Sequence, residues 1–242
     1  GSGIFAYCYS LQHVKFPSQL TEMGNAFEYC TALKEVDLSQ TQLRTFQNTF
    51  GGCSSLETVK FPSTLTEISR GAFSDCRELR EITIPKTVTN MGANVFSGCS
   101  NLTTLRLEAE NVTFRASQAS AKSSFTVIVA PSVQNLSADT VKELGNIGCS
   151  ELRFEGPNYL TGGGWQADFL PIQLGNLPVG EYYVDEQGVV YRIDSEKSTA
   201  SVAYCPAGIE SYTVPKELPA TDGQNAPIPV SGVDSRAFSD AS

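Results

Sequence analysis

Seven cysteines and a single histidine are the most reactive side chains in this 242-residue sequence, and their placement decides which chemistry is open to it. Five of the cysteines, Cys8, Cys30, Cys53, Cys76 and Cys99, recur at intervals of 22, 23, 23 and 23 residues. Stacked coils would set such a column about 4.8 Å apart along a strand ladder, a spacing that disulfide geometry permits. A column of five within a total of seven leaves odd members, however, and a packed interior takes a small apolar side chain at such a position. Buried, reduced thiols are therefore expected over disulfides. Zinc would call for a Cys-x-x-Cys pair, which does not occur, so no metal is expected.

His13 belongs to a repeat column, which suits a surface residue better than a general base. The chain contains no Gly-x-Ser-x-Gly, His-Glu-x-x-His or Walker-type loop. Gly162-Gly163-Gly164 lacks the Lys-Ser/Thr that would follow in a phosphate loop and reads as a flexible connection. Carboxylates are abundant, but no spacing pairs two of them for acid–base work. Neither an enzyme nor a cofactor is expected.

The cysteines are held by a larger pattern, Phe-x-x-Cys-x-x-Leu-x-x-(Val/Ile/Leu)-x-(Phe/Leu/Ile), starting at Phe5, Phe27, Phe50, Phe73 and Phe96. A fixed period of this length lies in the range of leucine-rich repeats, whose coils each supply one strand to a stacked parallel sheet. In Cys53-Ser54-Ser55-Leu56-Glu57-Thr58-Val59-Lys60-Phe61-Pro62, apolar Val59 and Phe61 alternate with Thr58 and Lys60, the period of a half-buried strand. Proline ends it, as Pro17 and Pro85 do elsewhere, because it offers no N–H to a ladder. Leu65-Thr66-Glu67-Ile68 and Gly71-Ala72-Phe73-Ser74-Asp75-Cys76 place apolar residues three or four apart, which predicts a tight turn or short helix as the return. The fold class expected is an α/β repeat: a right-handed leucine-rich-repeat solenoid of parallel strands with short helical or 3₁₀ returns, followed by a β-rich second unit.

Positions that point outward on the strands are the candidate partner-binding residues. Five after each cysteine stand His13, Glu35, Thr58, Glu81 and Thr104; seven after stand Lys15, Asp37, Lys60, Thr83 and Arg106. Both columns are expected on the concave face, where solenoids bind. Opposite charges on neighbouring strands, as in Asp37 and Lys60, also support a sheet by themselves.

The repeat weakens after Leu107. Phe125–Ala130 before Pro131 and Cys149–Phe154 read as further strands, with a short helix between them from Ser137 as cap to Gly145 as stop. The solenoid is thus expected over residues 1–155, degenerate from 108, and a Gly/Pro-rich connection over 156–180. Residues 181–242 are expected to form a β-rich unit. Its hairpin turns at Gly188, its further strands lie at 201–206 and 211–215, and a truncated repeat begins at Ala237-Phe238. The opening and closing residues both fall inside a repeat, so the chain reads as a fragment of a longer protein.

A net charge of -9 and a pI of about 4.7 argue against a phosphate-binding surface, so nucleic acid is not an expected partner. No apolar run approaches the roughly 18 residues of a membrane span.

Cys53-x-x-Leu56-x-x-Val59-x-Phe61-Pro62, with its return Leu65-x-x-Ile68 and Ala72-Phe73-x-x-Cys76, resembles the BspA-like leucine-rich repeat of bacterial cell-surface proteins. The likeness covers residues 5–107 strongly and 108–155 weakly, and 188–215 is similar to long variant repeats of that family. The resemblance implies a secreted or surface-anchored protein that adheres to host matrix proteins or to another surface protein, with no catalytic residue to carry over. A structural spacer presenting a neighbouring module is the alternative. A glycan-binding accessory protein is another, resting on Trp165, Tyr182, Tyr183, Tyr191, Tyr204 and Tyr212 as stacking surfaces, although packing in a core or between units is the first expectation for these rings.

Overall fold

The computed structural model describes residues 3–109, 112–114, 124–133, 135–156, 158–161, 181–194, 196–205, 209, 211–219, 226–234 and 237. Each repeat is one coil closed by three tight turns. In the third coil Cys53 N–H donates to Phe50 C=O at 3.1 Å, Leu56 N–H to Cys53 C=O at 3.0 Å, and Leu65 N–H to Pro62 C=O at 3.2 Å. These three-residue closures explain the Phe-x-x-Cys-x-x-Leu and Pro-x-x-Leu spacings.

Between turns run two parallel ladders. On one side lie β1 (Glu35–Asp37) and β3 (Thr58–Lys60), then β5 (Glu81–Ile84), β7 (Thr104–Leu107), β9 (Phe125–Val129) and β11 (Cys149–Phe154). On the return side the two-residue strands β2 (Thr45–Phe46), β4 (Glu67–Ile68), β6 (Asn90–Met91) and β8 (Thr113–Phe114) form a continuous parallel sheet. The stack makes about four turns with almost no helix. The expected helical or 3₁₀ returns are thus corrected. Apolar residues three apart mark successive turn closures here, a spacing that one helical face shares.

The core runs along the stack as columns of like residues. Leu33, Leu56, Leu79 and Leu102 are buried, as are the inward strand residues Val36, Ile82, Leu105 and Val127. Phenylalanines stack coil on coil: centroids lie 5.2 Å apart for Phe5–Phe27, 5.7 Å for Phe27–Phe50, 5.9 Å for Phe50–Phe73 and 6.2 Å for Phe73–Phe96. The cysteine column lies beside them. Each thiol donates to the phenylalanine carbonyl of the preceding coil: Cys30 to Phe5 at 3.1 Å, Cys53 to Phe27 and Cys76 to Phe50 at 3.2 Å, and Cys99 to Phe73 at 3.0 Å. All seven cysteines are free thiols. The sulfur thus does two things, filling a small apolar slot and giving a second bond to a carbonyl that already accepts the N–H closing its own coil's turn.

Two positions per coil take a left-handed backbone. Immediately before the cysteines stand Tyr7, Tyr29, Gly52, Asp75 and Gly98, all with positive φ, and five before stand Gly3, Asn48, Gly71 and Asn94. Glycine, asparagine and aspartate suit such sites. A different constraint governs Gly92, where an added Cβ would lie 2.2 Å from the Arg70 nitrogen and 2.6 Å from the Ser69 carbonyl carbon. Both are backbone atoms of the preceding coil, so no rotamer relieves the clash. Gly92→Ala is expected to lower unfolding free energy by about 1–3 kcal/mol. Urea melts would show it beside a near-neutral Gly232→Ala, whose Cβ would meet Ser201 at an ordinary 3.7 Å.

The outer ladder is interrupted once. β1 pairs β3 and β5 pairs β7, yet no register joins β3 to β5. At the intact junctions Lys34 C=O accepts from Glu57 and Thr58, and Arg80 C=O from Thr103 and Thr104; Glu57 C=O has no counterpart of these bonds. Phe61 stands where Leu38, Ile84 and Leu107 stand in other coils. Its ring stacks on Phe46 at 6.1 Å and meets Phe73 edge-on at 5.8 Å. A phenyl in a slot sized for Leu holds β3 off the following strand, and Val59 is left half-buried while its column neighbours are sealed. Phe16 occupies the same slot in the first coil, and residues 11–17 form no strand there.

Beyond the coils, α1 (Ala138–Asn146) takes the place of a turn and buries Val141 and Leu144 against the stack. It matches the expected helix, except that Gly145 lies within it. β10 (Asn135–Ser137) opens a seven-stranded sheet with β12 (Asn158–Thr161), β13 (Glu181–Val184), β14 (Val190–Asp194), β15 (Thr199–Tyr204), β17 (Ile228–Val233) and β16 (Glu217–Leu218), in that order. The hairpin β13–β14 turns through Gly188, which has a positive φ. One face of this sheet sends Tyr182, Val184 and Val190 into the solenoid's own core, and the other gathers Tyr183, Val189, Tyr191, Ile193 and Val202 into a second cluster. The expected distinct second unit is corrected accordingly, because the sheet is shared between the two cores. Residues 211–215 form no strand, and β17 was not foreseen because Pro229 and Gly232 mask its alternation. The glycine triplet, Trp165 and Phe238 lie outside the described residues.

Candidate functional site

The parted strands open a cleft of about 400 Å³ on the outer ladder's face, lined by Thr58, Val59, Glu81, Ile82, Thr83, Thr104, Arg106 and Ile128. Strand alternation puts Thr58, Glu81, Thr83, Thr104 and Arg106 outward, with Val59 and Ile82 on the inward-facing positions. Register aligns Glu81 with Thr104 and Thr83 with Arg106. Half of the ten candidate residues therefore meet in one concavity.

The others lie apart from it. Glu35 and Asp37 are exposed on β1, opposite Thr58 and Lys60. Lys60 Nζ lies 3.4 Å from Asp37 and 3.9 Å from Glu35. Hydrogen bonds from Ser39, and secondarily the Lys60 ammonium, hold the Asp37 carboxyl below the usual carboxylate range. His13 and Lys15 are exposed outside any strand, so the structure does not extend the columns into the first coil.

Residues that the periodicity did not reach complete this face. Thr126 and Ile128 on β9 and Glu151 and Arg153 on β11 continue the outward columns. Both strands were legible, but the cysteine-to-strand offset that numbered the columns fails after Leu107. Arg153 Nε bonds Glu151 at 2.7 Å, and that guanidinium first, with Thr126 Oγ1 at 3.1 Å, lowers the Glu151 carboxyl pKa. Arg106 bonds Glu155, and its Nε lies 3.4 Å from Glu108; the Glu155 contact first holds its charge more firmly. These pairs are open to solvent and individually contribute little to stability.

Of the aromatic group proposed as stacking surfaces, Tyr182, Tyr183 and Tyr191 are buried. A ring enclosed on both faces cannot receive a sugar, so that reading is corrected for these three residues. Tyr191 and Tyr212 share a hydroxyl–hydroxyl bond, and Tyr212 donates to Asp185, whose other oxygen accepts from the N–H groups of Gln187 and Val189 at 2.9 Å. Burial chiefly pushes Tyr191 up to about 12, and Tyr212 is raised for the same reason. The network closes the hairpin turn.

Among the described residues, no group of His, Cys, Asp and Glu is arranged to hold a metal ion, and no helix is long and apolar enough to cross a membrane.

A family model for the BspA type leucine rich repeat region matches the chain in 6 copies, over residues 1–103 and 24–144. A leucine-rich repeat protein from Bacteroides ovatus is similar in structure with a TM-score of 0.50 at 24% identity, over 64% of this chain and 39% of that one. The chain thus spans about two fifths of that protein's length. The T. pallidum leucine rich repeat protein gives a TM-score of 0.42 at 28% identity, over 57% of this chain and 71% of that one. No curated protein matches the chain.

Proposed function

This chain belongs to the BspA-type leucine-rich repeat family, and on that premise we propose that it is a non-catalytic protein-binding module that recognises its partner on the outer-ladder, concave face. The observation that supports this best is the convergence of Thr58, Glu81, Thr83, Thr104 and Arg106 on a single cleft. Its volume lies in the range of about 300–1,000 Å³ typical of ligand sites. We place the module at the cell surface or in the secreted fraction, with a matrix or surface protein as partner, following the family resemblance.

The test is direct binding of the purified chain to a panel of immobilised matrix proteins, followed by the combined replacement of Glu35, Asp37 and Glu81 with amides and Lys60 with Met. Affinity for any protein that binds is expected to fall at least tenfold, the order expected when several interfacial charges are removed together. Unchanged affinity would sink the proposal. A spacer predicts a further result: any solenoid of equal length could replace this one without loss of adhesion.

A further inference from the structure

Among the described residues, the concave cleft holds one charge with no partner. Lys60, Arg106 and Arg153, the basic side chains of the outer ladder, are each bridged to carboxylates already. Glu81, by contrast, forms no ion pair or side-chain hydrogen bond among the described residues, and neither do the hydroxyls of Thr58, Thr83 and Thr104 around it. The chain's net charge of -9 adds to the same sign. Beneath the carboxylate the cleft is apolar: Val59 and Ile82 lie on its inward-facing positions, where β3 and β5 part. An apolar floor with one anion and several hydroxyl acceptors above it matches the division of an arginine or lysine side chain into an aliphatic stem and a cationic head.

We infer that this cleft takes a basic side chain, arginine foremost, presented by an exposed segment of the partner protein, an inference that rests on the concave-face reading above. The stem lies over Val59 and Ile82, and the guanidinium faces Glu81 with Thr58 and Thr104 as further acceptors. Arginine is preferred over lysine because its planar fork reaches the carboxylate through two N–H groups and still serves a hydroxyl. Arg106 does not compete for Glu81, being engaged by Glu108 and Glu155.

The test is an NMR titration of the ¹⁵N-labelled chain with the peptide acetyl-Gly-Ser-Arg-Ser-Gly-amide and with the same peptide carrying citrulline, which keeps the shape and removes the charge. The arginine peptide is expected to bind in the millimolar range, moving the amides of Glu81, Thr83 and Thr104. E81Q should weaken it about tenfold, and citrulline should do the same. A thermal melt of E81Q shows whether the fold is intact, and Glu22→Gln, remote from the cleft, should bind like the parent. Equal affinity for the two peptides, an unaltered affinity in E81Q, or shifts centred elsewhere would overturn the inference. Matrix-protein binding that the fourfold variant abolishes but E81Q leaves intact would remove the cleft's role and keep the concave face. Arginine capture at the cleft, beside matrix-protein binding that the fourfold variant leaves intact, would do the reverse.

Discussion

Phe73→Ala is expected to lower the unfolding free energy by about 3–5 kcal/mol, near the upper end for a single core truncation. Phe73 is fully buried and touches aromatic rings on every side. It stacks between Phe50 at 5.9 Å and Phe96 at 6.2 Å and meets Phe46 and Phe61 edge-on at 5.9 and 5.8 Å. Stacked and edge-on aromatic pairs add about 0.5–1.5 kcal/mol each beyond the area they bury. Truncation removes four such contacts and leaves a void between rigid coils that cannot collapse onto it. In a stack where each coil touches only its neighbours, the loss also uncouples the turns on either side. Phe5→Ala is the comparison: that residue is 43% exposed and, among the described residues, its ring stacks on Phe27 alone. Urea denaturation of both variants should give a large midpoint shift for Phe73 and a small one for Phe5. Similar shifts would mean that the column does not act as a continuous ladder.

A second large effect is expected in alkali. Burial first raises the thiols of Cys53, Cys99 and Cys149 from 9.0 to about 12, and Cys76 is raised in the same direction. Below pH 9.0 these thiols are protonated in both folded and unfolded chains, and the fold keeps its full stability. Above it the unfolded chain releases their protons while the folded one holds them, so stability falls until the pH passes the folded value near 12. For one thiol the gap from 9.0 to about 12 corresponds to about 4 kcal/mol as a ceiling. Stability measured across this window should fall steeply, and the triple variant with alanine at Cys53, Cys99 and Cys149 should fall less. An identical slope in the two proteins would show that the column is not what titrates.

Much of this architecture was legible in the residues because each coil repeats the same instructions. Phe-x-x-Cys-x-x-Leu names three buried positions and two turn closures, and five copies in register leave the stacking direction in no doubt. The return was misread for a physical reason: Leu65-x-x-Ile68 has the spacing of a helical face, but a coil of this length has room only for a two-residue strand between turns. The thiol ladder was foreseen as packing and not as hydrogen bonding, since nothing in a cysteine's neighbours along the chain reveals a carbonyl of the preceding coil. The cleft was half legible. Glu81, Thr83, Thr104 and Arg106 followed from periodicity, whereas the parting of β3 from β5 depends on the bulk of Phe61 against Leu38 and Ile84, which reads as a conservative exchange in the sequence. The half-buried partners Thr126 and Glu151 were lost to a shift in repeat length, not to any weakness of their own strands.

The break between β3 and β5 also sets how the stack deforms. Across this junction the return ladder is whole, with β4 paired to β6, while the outer ladder is open. Such a joint resembles a book bound along one spine: closing or opening it alters the curvature of the arc at one coil and leaves the rest stiff. Under tension along the stack, the outer strands here offer no ladder bonds to share the load, so the pull falls on the Glu67–Asn90 and Ile68–Met91 pairs and on the turn bonds from Phe50 to Ala72, Gly52 to Ser74 and Glu78 to Ser54. The molecule is therefore expected to bend at the junction between the third and fourth coils.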